Sequence, residues 1–257
     1  MSTNKPSIFI TGAAVGIGKA TAELFAAKGW FVGLFDVDED GLQTLKAQLG
    51  EDACMAMRMD VTDEASVNAA MTAFGERTGG RMQVLFNNAG ILDTTAFAET
   101  HPDMPERIFM VNVVGLMRCA RLALPLLEKA DKARVINMSS ASANYGIPGF
   151  SIYSSSKHAV RGFTEALHIE WAAKGIHVCD LMPTFVNTPM VRNASNQTSM
   201  QKLGINLSPE KIAGVVWKAS QGNRIHWPVG LDGWALALIV TRLPKSLAAW
   251  LTKVLTT

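Results

Sequence analysis

Short apolar runs alternate with longer amphipathic stretches along most of this chain, and that alternation constrains the fold more than any other feature. Ser7–Ile10, Phe31–Asp36, Met55–Met59 and Val84–Asn87 read as strands, as do Arg134–Met138, Ile176–Met182 and Arg224–Val229. Helices are expected at Gly18–Lys28, Glu39–Leu49 and Glu64–Arg77, at about Pro105–Ala130 with a kink at Pro125, and at Tyr153–Lys174. Ser208-Pro209-Glu210 opens a further helix, with Ser as N-cap and Pro in the first turn. Apolar strands that each lead into a helix are buried on both faces, which means a parallel sheet covered by helices on two sides. Right-handed crossovers then give an α/β, doubly wound parallel sheet that takes ligands at the carboxyl ends of its strands. No linker divides the 257 residues, so one domain is expected.

Composition excludes several classes. Lys plus Arg number 24 against 22 Asp plus Glu, a net charge of +2 without the basic face of a nucleic-acid binder. Cys54, Cys119 and Cys179 are odd in number and far apart, with neither a disulfide pattern nor zinc spacing, and the five histidines form no HExxH. No metal is expected. The N-terminus carries no apolar segment of signal-peptide length, so a cytoplasmic, reducing location is the default. The apolar run Trp234–Val240 is bounded by Asp232 and Arg242 and is far short of the roughly 20 residues of a membrane span.

The chemistry sits where the strands end. Thr11-Gly12-Ala13-Ala14-Val15-Gly16-Ile17-Gly18 follows the first strand and opens the first helix. Glycines there permit a tight turn and the close approach of a pyrophosphate to free N–H groups, although an ordinary strand–helix turn has the same pattern. Asp36 ends the second strand, placed to accept hydrogen bonds from a ribose 2′-OH and to repel a 2′-phosphate. NAD(H) is therefore favoured. Lys19, just past the last glycine, pulls towards NADP(H), the alternative. Asp38 and Asp40 read as a helix start. Tyr153 and Lys157 are four residues apart and share a helix face, so the ammonium should draw the phenol's pKa towards neutrality, as a general acid/base for an alcohol and ketone pair requires. Ser140 lies thirteen residues before Tyr153, past a strand end, where its hydroxyl can donate to a carbonyl oxygen gaining charge. Ser139 and Ser142 read as loop or cap serines, and His158 as structural.

With these motifs the chain resembles the short-chain dehydrogenase/reductase family, and the likeness covers roughly residues 7 to 190. Gly12, Gly16, Ile17 and Gly18 match its glycine motif, and Asn87 through Asn88, Ala89 and Gly90 match the stretch that supports the sheet and borders the cofactor. Asp60 and Val61 resemble the pair that contacts adenine. Pro183, Val186 and Thr188 resemble the segment that holds the nicotinamide carboxamide, with Thr184 standing where many members have glycine. Asn112, Ser140, Tyr153 and Lys157 match the catalytic tetrad. The resemblance implies a Rossmann-like fold and a hydride passed between nicotinamide and a substrate carbon. In it Tyr153 carries the proton, Lys157 tunes Tyr153 and binds the nicotinamide ribose, Ser140 polarises the substrate oxygen, and Asn112 holds a relay water. It also implies a homotetramer or homodimer through the two long helices, with Leu116, Leu124, Phe163 and Leu167 as candidate apolar contacts.

Ser142, Tyr145, Phe185 and Met190 are expected to line the substrate side, favouring a small apolar alcohol or ketone. Residues 189–208 are expected to form a polar lid, unless they are a fixed insert. Residues 229–257 form an apolar C-terminal extension in which Leu243, Leu247, Trp250, Leu251 and Val254 recur at helical spacing. It would cover the pocket entrance or a neighbouring subunit, serve as a core helix, or lie on a membrane surface. Two rival functions remain open: a 3-oxoacyl thioester reductase, which would want a basic patch for a carrier protein, and a non-catalytic NAD-binding sensor on the same fold.

Overall fold

The computed structural model describes residues 3–192, 194, 207–230, 243 and 246–247. Its strands are β1 (Ser7–Thr11), β2 (Phe31–Asp36), β3 (Cys54–Arg58), β4 (Val84–Asn87), β5 (Arg134–Met138), β6 (His177–Pro183) and β7 (His226–Val229). They form one sheet in the order β3-β2-β1-β4-β5-β6-β7, and every pairing is parallel. The helices are α1 (Gly16–Ala27), α2 (Glu39–Leu49), α3 (Glu64–Arg77), α4 (Met104–Phe109), α5 (Leu116–Leu127), α6 (Ser151–Ala172), α7 (Pro189–Arg192) and α8 (Pro209–Ala219). The doubly wound α/β sheet is thus present, with every expected strand in place and only its ends shifted.

Alternation along the strands sends side chains to two cores. Ile8, Ile10, Val32, Leu34 and Ile136 pack with Phe25 of α1 and Ile212 and Val216 of α8. Phe9, Phe31, Phe35, Leu85 and Val135 face the other way, against Phe74, Cys119 and Trp171 of α3, α5 and α6. Helix starts follow capping chemistry: Asp38, Asp63 and Ser208 accept from the amides of Gly41, Ala65 and Lys211. The acidic run around Asp38 is therefore a helix start.

The expected single helix over 105–130 is an interrupted one. Between α4 and α5, Met110–Gly115 forms a π turn, which apolar periodicity cannot register. Pro125 falls in the last turn of α5, close to where the helix stops. The stretch Met104–Leu127 is long and apolar enough to cross a membrane by composition, with a mean hydropathy of 1.5. Its Ile108, Val113, Cys119, Ala120, Ala123 and Leu127 are buried in the protein's own core. Leu116 and Leu167, expected at a subunit interface, are buried inside the chain, and Leu124 and Phe163 pack partly against its cores. The amphipathic faces of those helices turn inward; the exposed apolar side chains on them are Phe109, Val114 and Ile169.

The sheet reverses its winding between β1 and β4, where a crevice opens. Thr11 and Asn88 tie its two sides together. The Thr11 hydroxyl accepts the amides of Asn88 and Ala89 at 3.0 and 2.9 Å, and Asn88 Nδ2 donates to the carbonyls of Thr11 and Gly12 at 3.0 and 2.9 Å. A Cβ on Gly18 would stand 2.0 Å from the Gly12 carbonyl oxygen. Gly18→Ala should accordingly lower stability by about 3 kcal/mol in urea denaturation, because backbone rather than a side-chain tip must move. Gly162→Ala, in open space within α6, should instead gain about 0.5–1 kcal/mol.

Candidate active site

A cleft of about 980 Å³ runs along the carboxyl ends of the strands. The glycine turn, Asp36, Asp60 and Val61, Asn88 to Gly90, Ser140, Tyr153, Lys157, and Pro183 with Val186 and Thr188 all line it. One strand-end edge thus gathers side chains from β1 to β6.

At the glycine end, Gly12 and Gly16 have φ of +68° and +57°, in the left-handed region that glycine tolerates. A Cβ on Gly12 would lie 2.9 Å from Ala89 Cα, and one on Gly16 would lie 3.2 Å from Thr188 Cγ2. Val15, the N-cap of α1, offers no side-chain cap, and the first turn holds no acid. The helix N-terminus therefore faces the cleft with its amide donors unmatched by any side chain, a setting suited to an anion. Ile17 lies in that first turn and also lines the cleft.

Asp36 accepts from Ala14 N at 2.9 Å through one oxygen and from Asp38 N at 3.1 Å through the other, which fixes the carboxylate at the cleft wall. Lys19 is half exposed on α1 and lies 4.0 Å from Glu23. Asp60 Oδ1 accepts from the amide and hydroxyl of Thr62 at 2.8 and 2.7 Å, and Arg118 donates to the Val61 carbonyl at 2.6 Å. Among the described residues only Lys132 has a positive φ outside glycine, so Thr184 needs no glycine-like backbone.

Ser140 caps a 3₁₀ turn, Ala141–Ala143, and accepts the Ser142 amide at 3.2 Å. It also stands beside Tyr153 and acts to lower that phenol's pKa. Lys157 Nζ donates to the Met138 carbonyl at 2.8 Å and sits 5.4 Å from the centre of the Tyr153 ring. Here the expected direction of the Tyr153 pKa is reversed. Burial pushes it up to about 12 despite the opposing effect of Ser140, and burial pushes Lys157 down to about 8. The ammonium bonds a backbone carbonyl, and the loss of water outweighs the attraction that sequence spacing alone suggests. At neutral pH the pair stands as phenol and ammonium, ready to give a proton.

Asn112 lies in the π turn and is buried. Its Oδ1 accepts Ile91 N at 2.8 Å, while its Nδ2 donates to Ile91 O at 3.0 Å and to Ser156 Oγ at 3.2 Å. It ties α6 to the Asn88–Gly90 strand end. Behind the 3₁₀ turn runs a chain of polar contacts. Asp180 Oδ1 meets His226 Nδ1 at 2.9 Å, His226 Nε2 meets Glu165 at 3.1 Å, and Arg161 donates to Glu165 at 2.9 Å and to Asn144. Asn144 donates in turn to the Ala141 carbonyl at 3.3 Å.

On the substrate side, Tyr145 is buried with Ile147, Phe150 and Val191 in an apolar cluster that Phe185 and Leu243 join. Ser142 is buried, and its Oγ has no partner among the described residues. Met190 is exposed on α7 at the rim. His158 bonds the Ser154 carbonyl, a structural contact. Most of the expected lid and C-terminal extension, including Trp250, Leu251 and Val254, lies outside the described residues. Sequence reasoning missed the Thr11 hydroxyl and the Met138 carbonyl, and also Leu92, Arg107 and Lys211, which line the cleft. A polar residue ending a buried strand was the only available signal, and it applied to Thr11.

Residues 6–199 match the family model described as short chain dehydrogenase. Oxidoreductase UcpA of Salmonella typhimurium is 34% identical over 223 residues, covering 86% of this chain and 82% of its own. Meso-2,3-butanediol dehydrogenase of Serratia marcescens is 32% identical over 216 residues, covering 81% and 84%. A crystal structure of a short-chain dehydrogenase/reductase from Burkholderia phymatum in complex with NAD superposes with a TM-score of 0.82 at 26% identity, covering 96% of this chain and 95% of that one.

Lys157 carries a charge that folding buries, so Lys157→Met should raise stability by about 1–3 kcal/mol at pH 7 in thermal or urea unfolding. Below pH 8 the ammonium is charged in both folded and unfolded chains and the cost is full. Between about 8 and about 10.5 the folded state has released its proton while the unfolded chain keeps it. Wild-type stability from this group therefore rises with pH, and the variant's advantage should shrink across that window.

Proposed function

The chain belongs to the short-chain dehydrogenase family, and we propose on that premise that Tyr153, Lys157, Ser140 and Asn112 carry its reaction. It is a nicotinamide-dependent oxidoreductase interconverting alcohols and ketones. The observation that carries the site assignment is the meeting of Ser140, Tyr153 and buried Lys157 in the strand-end cleft, with Lys157 Nζ 5.4 Å from the centre of the Tyr153 ring.

The cleft fits a dinucleotide. A Cβ at Gly12 or Gly18 would close the glycine turn, and the N-terminus of α1 is uncapped beside it. Gly12, Gly16, Ile17 and Gly18 would hold the pyrophosphate, and Asp36 the adenosine ribose. Asp60 and Val61 would flank the adenine, with Asn88, Ala89 and Gly90 along the floor. Pro183, Val186 and Thr188 would seat the nicotinamide end, which when bound gives or takes a hydride. Tyr153 gives its phenol proton to the substrate oxygen in reduction and takes it back in oxidation. Ser140, whose lone pair already holds the Ser142 amide, orients that oxygen. Lys157 stabilises the phenolate as the proton leaves and would bind the nicotinamide ribose. Asn112 fixes the strand end and α6 in register, beside the path along which Lys157 would be reprotonated.

Asp36 supports NAD(H) over NADP(H), and the two amides on its carboxylate hold it in the position that a 2′-phosphate would need. The apolar wall of Ile147, Phe150 and Phe185 supports a small apolar alcohol or ketone. Phe109, Val114 and exposed Ile169 support a dimer or tetramer through α4, α5 and α6, which light scattering at micromolar concentration would refute by showing only monomer. A cytoplasmic location rests on the three buried free thiols.

Assays of a ketone and alcohol panel with NADH and NADPH test the reading. Tyr153→Phe should lose at least about a thousandfold in kcat, roughly 4 kcal/mol of barrier, with NADH affinity retained. Residual activity within tenfold of wild type would remove Tyr153 as the acid/base. Asp36→Ser should weaken NADH use and improve NADPH use. A wild-type enzyme already preferring NADPH would reverse the cofactor assignment.

A further inference from the structure

Two tyrosines exist in the chain, and both stand in the same cleft. Tyr153 is accounted for by Ser140 and the proton transfer. Tyr145 is not. It follows Ser140 by five residues, across the 3₁₀ turn. The residue is 7% exposed and packs in the apolar cluster with Ala141, Ile147, Phe150 and Val191. Its hydroxyl makes no hydrogen bond with any described residue, nor does any charged group act on it; burial alone moves its pKa, up to about 12. It is therefore a neutral phenol at every working pH. The hydroxyl tip is not sealed from the cleft that Tyr145 lines, and a tyrosine hydroxyl so placed ordinarily finds a partner.

Among the described residues its backbone surroundings offer it none, and the buried side chains packed on it, Ala141, Ile147, Phe150 and Val191, are hydrocarbon. The 3₁₀ turn is held from behind by Asn144 and Arg161, so Tyr145 is presented by a fixed wall. That wall also carries Ser140, which addresses the reacting oxygen. Its hydrogen-bond partner is then a molecule in the cleft, water or a ligand oxygen, and the apolar cluster around the phenol makes it a discriminating group: a site built to bond an oxygen rejects the analogue lacking it.

We propose that Tyr145 is a specificity-determining residue that hydrogen-bonds a second oxygen of the substrate, so that the enzyme prefers an apolar hydroxyketone, dione or diol over the corresponding simple ketone or alcohol. This inference rests on the oxidoreductase reading of the same cleft.

The test uses matched pairs that differ by one oxygen, such as 3-hydroxybutan-2-one against butan-2-one and 2-hydroxycyclohexanone against cyclohexanone. NADH oxidation by wild type and by Tyr145→Phe is followed, and kcat/KM is compared within each pair. The ratio of ratios between the two enzymes cancels the substrates' own reactivity. The oxygenated member should be favoured by wild type, and Tyr145→Phe should cut that preference at least tenfold, with NADH affinity and unfolding midpoint close to wild type as the check on folding. Equal losses on both members would make Tyr145 a packing residue and overturn the inference. An absence of preference in wild type would do the same, while leaving the ketone reductase reading intact. NADH binding without turnover of any member in either direction would overturn that reading, and the inference with it.

Discussion

The structure depends on how a parallel sheet closes the gap where its winding reverses. At that point β1 and β4 are neighbours, yet their following segments leave in opposite directions, and the last carbonyls of β1 lose their strand partners. Thr11 and Asn88 restore those bonds with side chains: one hydroxyl takes two amides, and one carboxamide reaches two carbonyls. Because the bonds are made sideways, the crevice stays open above them. The glycine turn can then pass within contact distance of Ala89, which a Cβ at Gly12 would prevent, and fold back on itself, which a Cβ at Gly18 would prevent. Clasp and cradle are one construction.

Buried polar groups continue that logic through the sheet. Asn87 on β4 donates to Asn137 on β5, which donates to Thr164 on α6. Asn112 joins the same helix to the end of β4 through Ile91 and Ser156. Such groups cost free energy unless satisfied, so each fixes one register among elements whose apolar contacts would accept several. The reacting pair is placed by this scaffold: Lys157 is aimed by the Met138 carbonyl at the end of β5, and Ser140 by the turn that follows it.

The elements were legible because strand period and helix period leave different apolar traces, as Ile8 and Ile10 against Phe9 show. The candidate site was legible because the chemistry of its residues names their places: Gly12 and Gly18 through turn geometry, Asp36 through charge at a strand end, Tyr153 and Lys157 through spacing on a helix. What stayed hidden depends on distances between segments. The solvent cost that lifts Tyr153 and lowers Lys157 arises from burial by remote residues. Leu116 and Leu167 looked available for an interface because periodicity marks an apolar face without saying what it meets. The Arg161 and Asn144 contact joins residues seventeen positions apart, and its rationale appears only when α6 crosses behind the turn.

The π turn at Met110–Gly115 has a consequence for how this helix tolerates change. One extra residue in a turn advances the side chains that follow by about 100° relative to an unbroken helix. α4 and α5 are therefore out of phase with each other, and Asn112 occupies the place where the offset is absorbed. Deleting a single residue there would shorten the chain very little. It would swing every position of one segment around the axis, turning Ile108 or Cys119 out of the core and polar neighbours into it. The helix is thus more sensitive to length than to composition in this stretch, and a substitution and a deletion at the same position would have effects of different kinds.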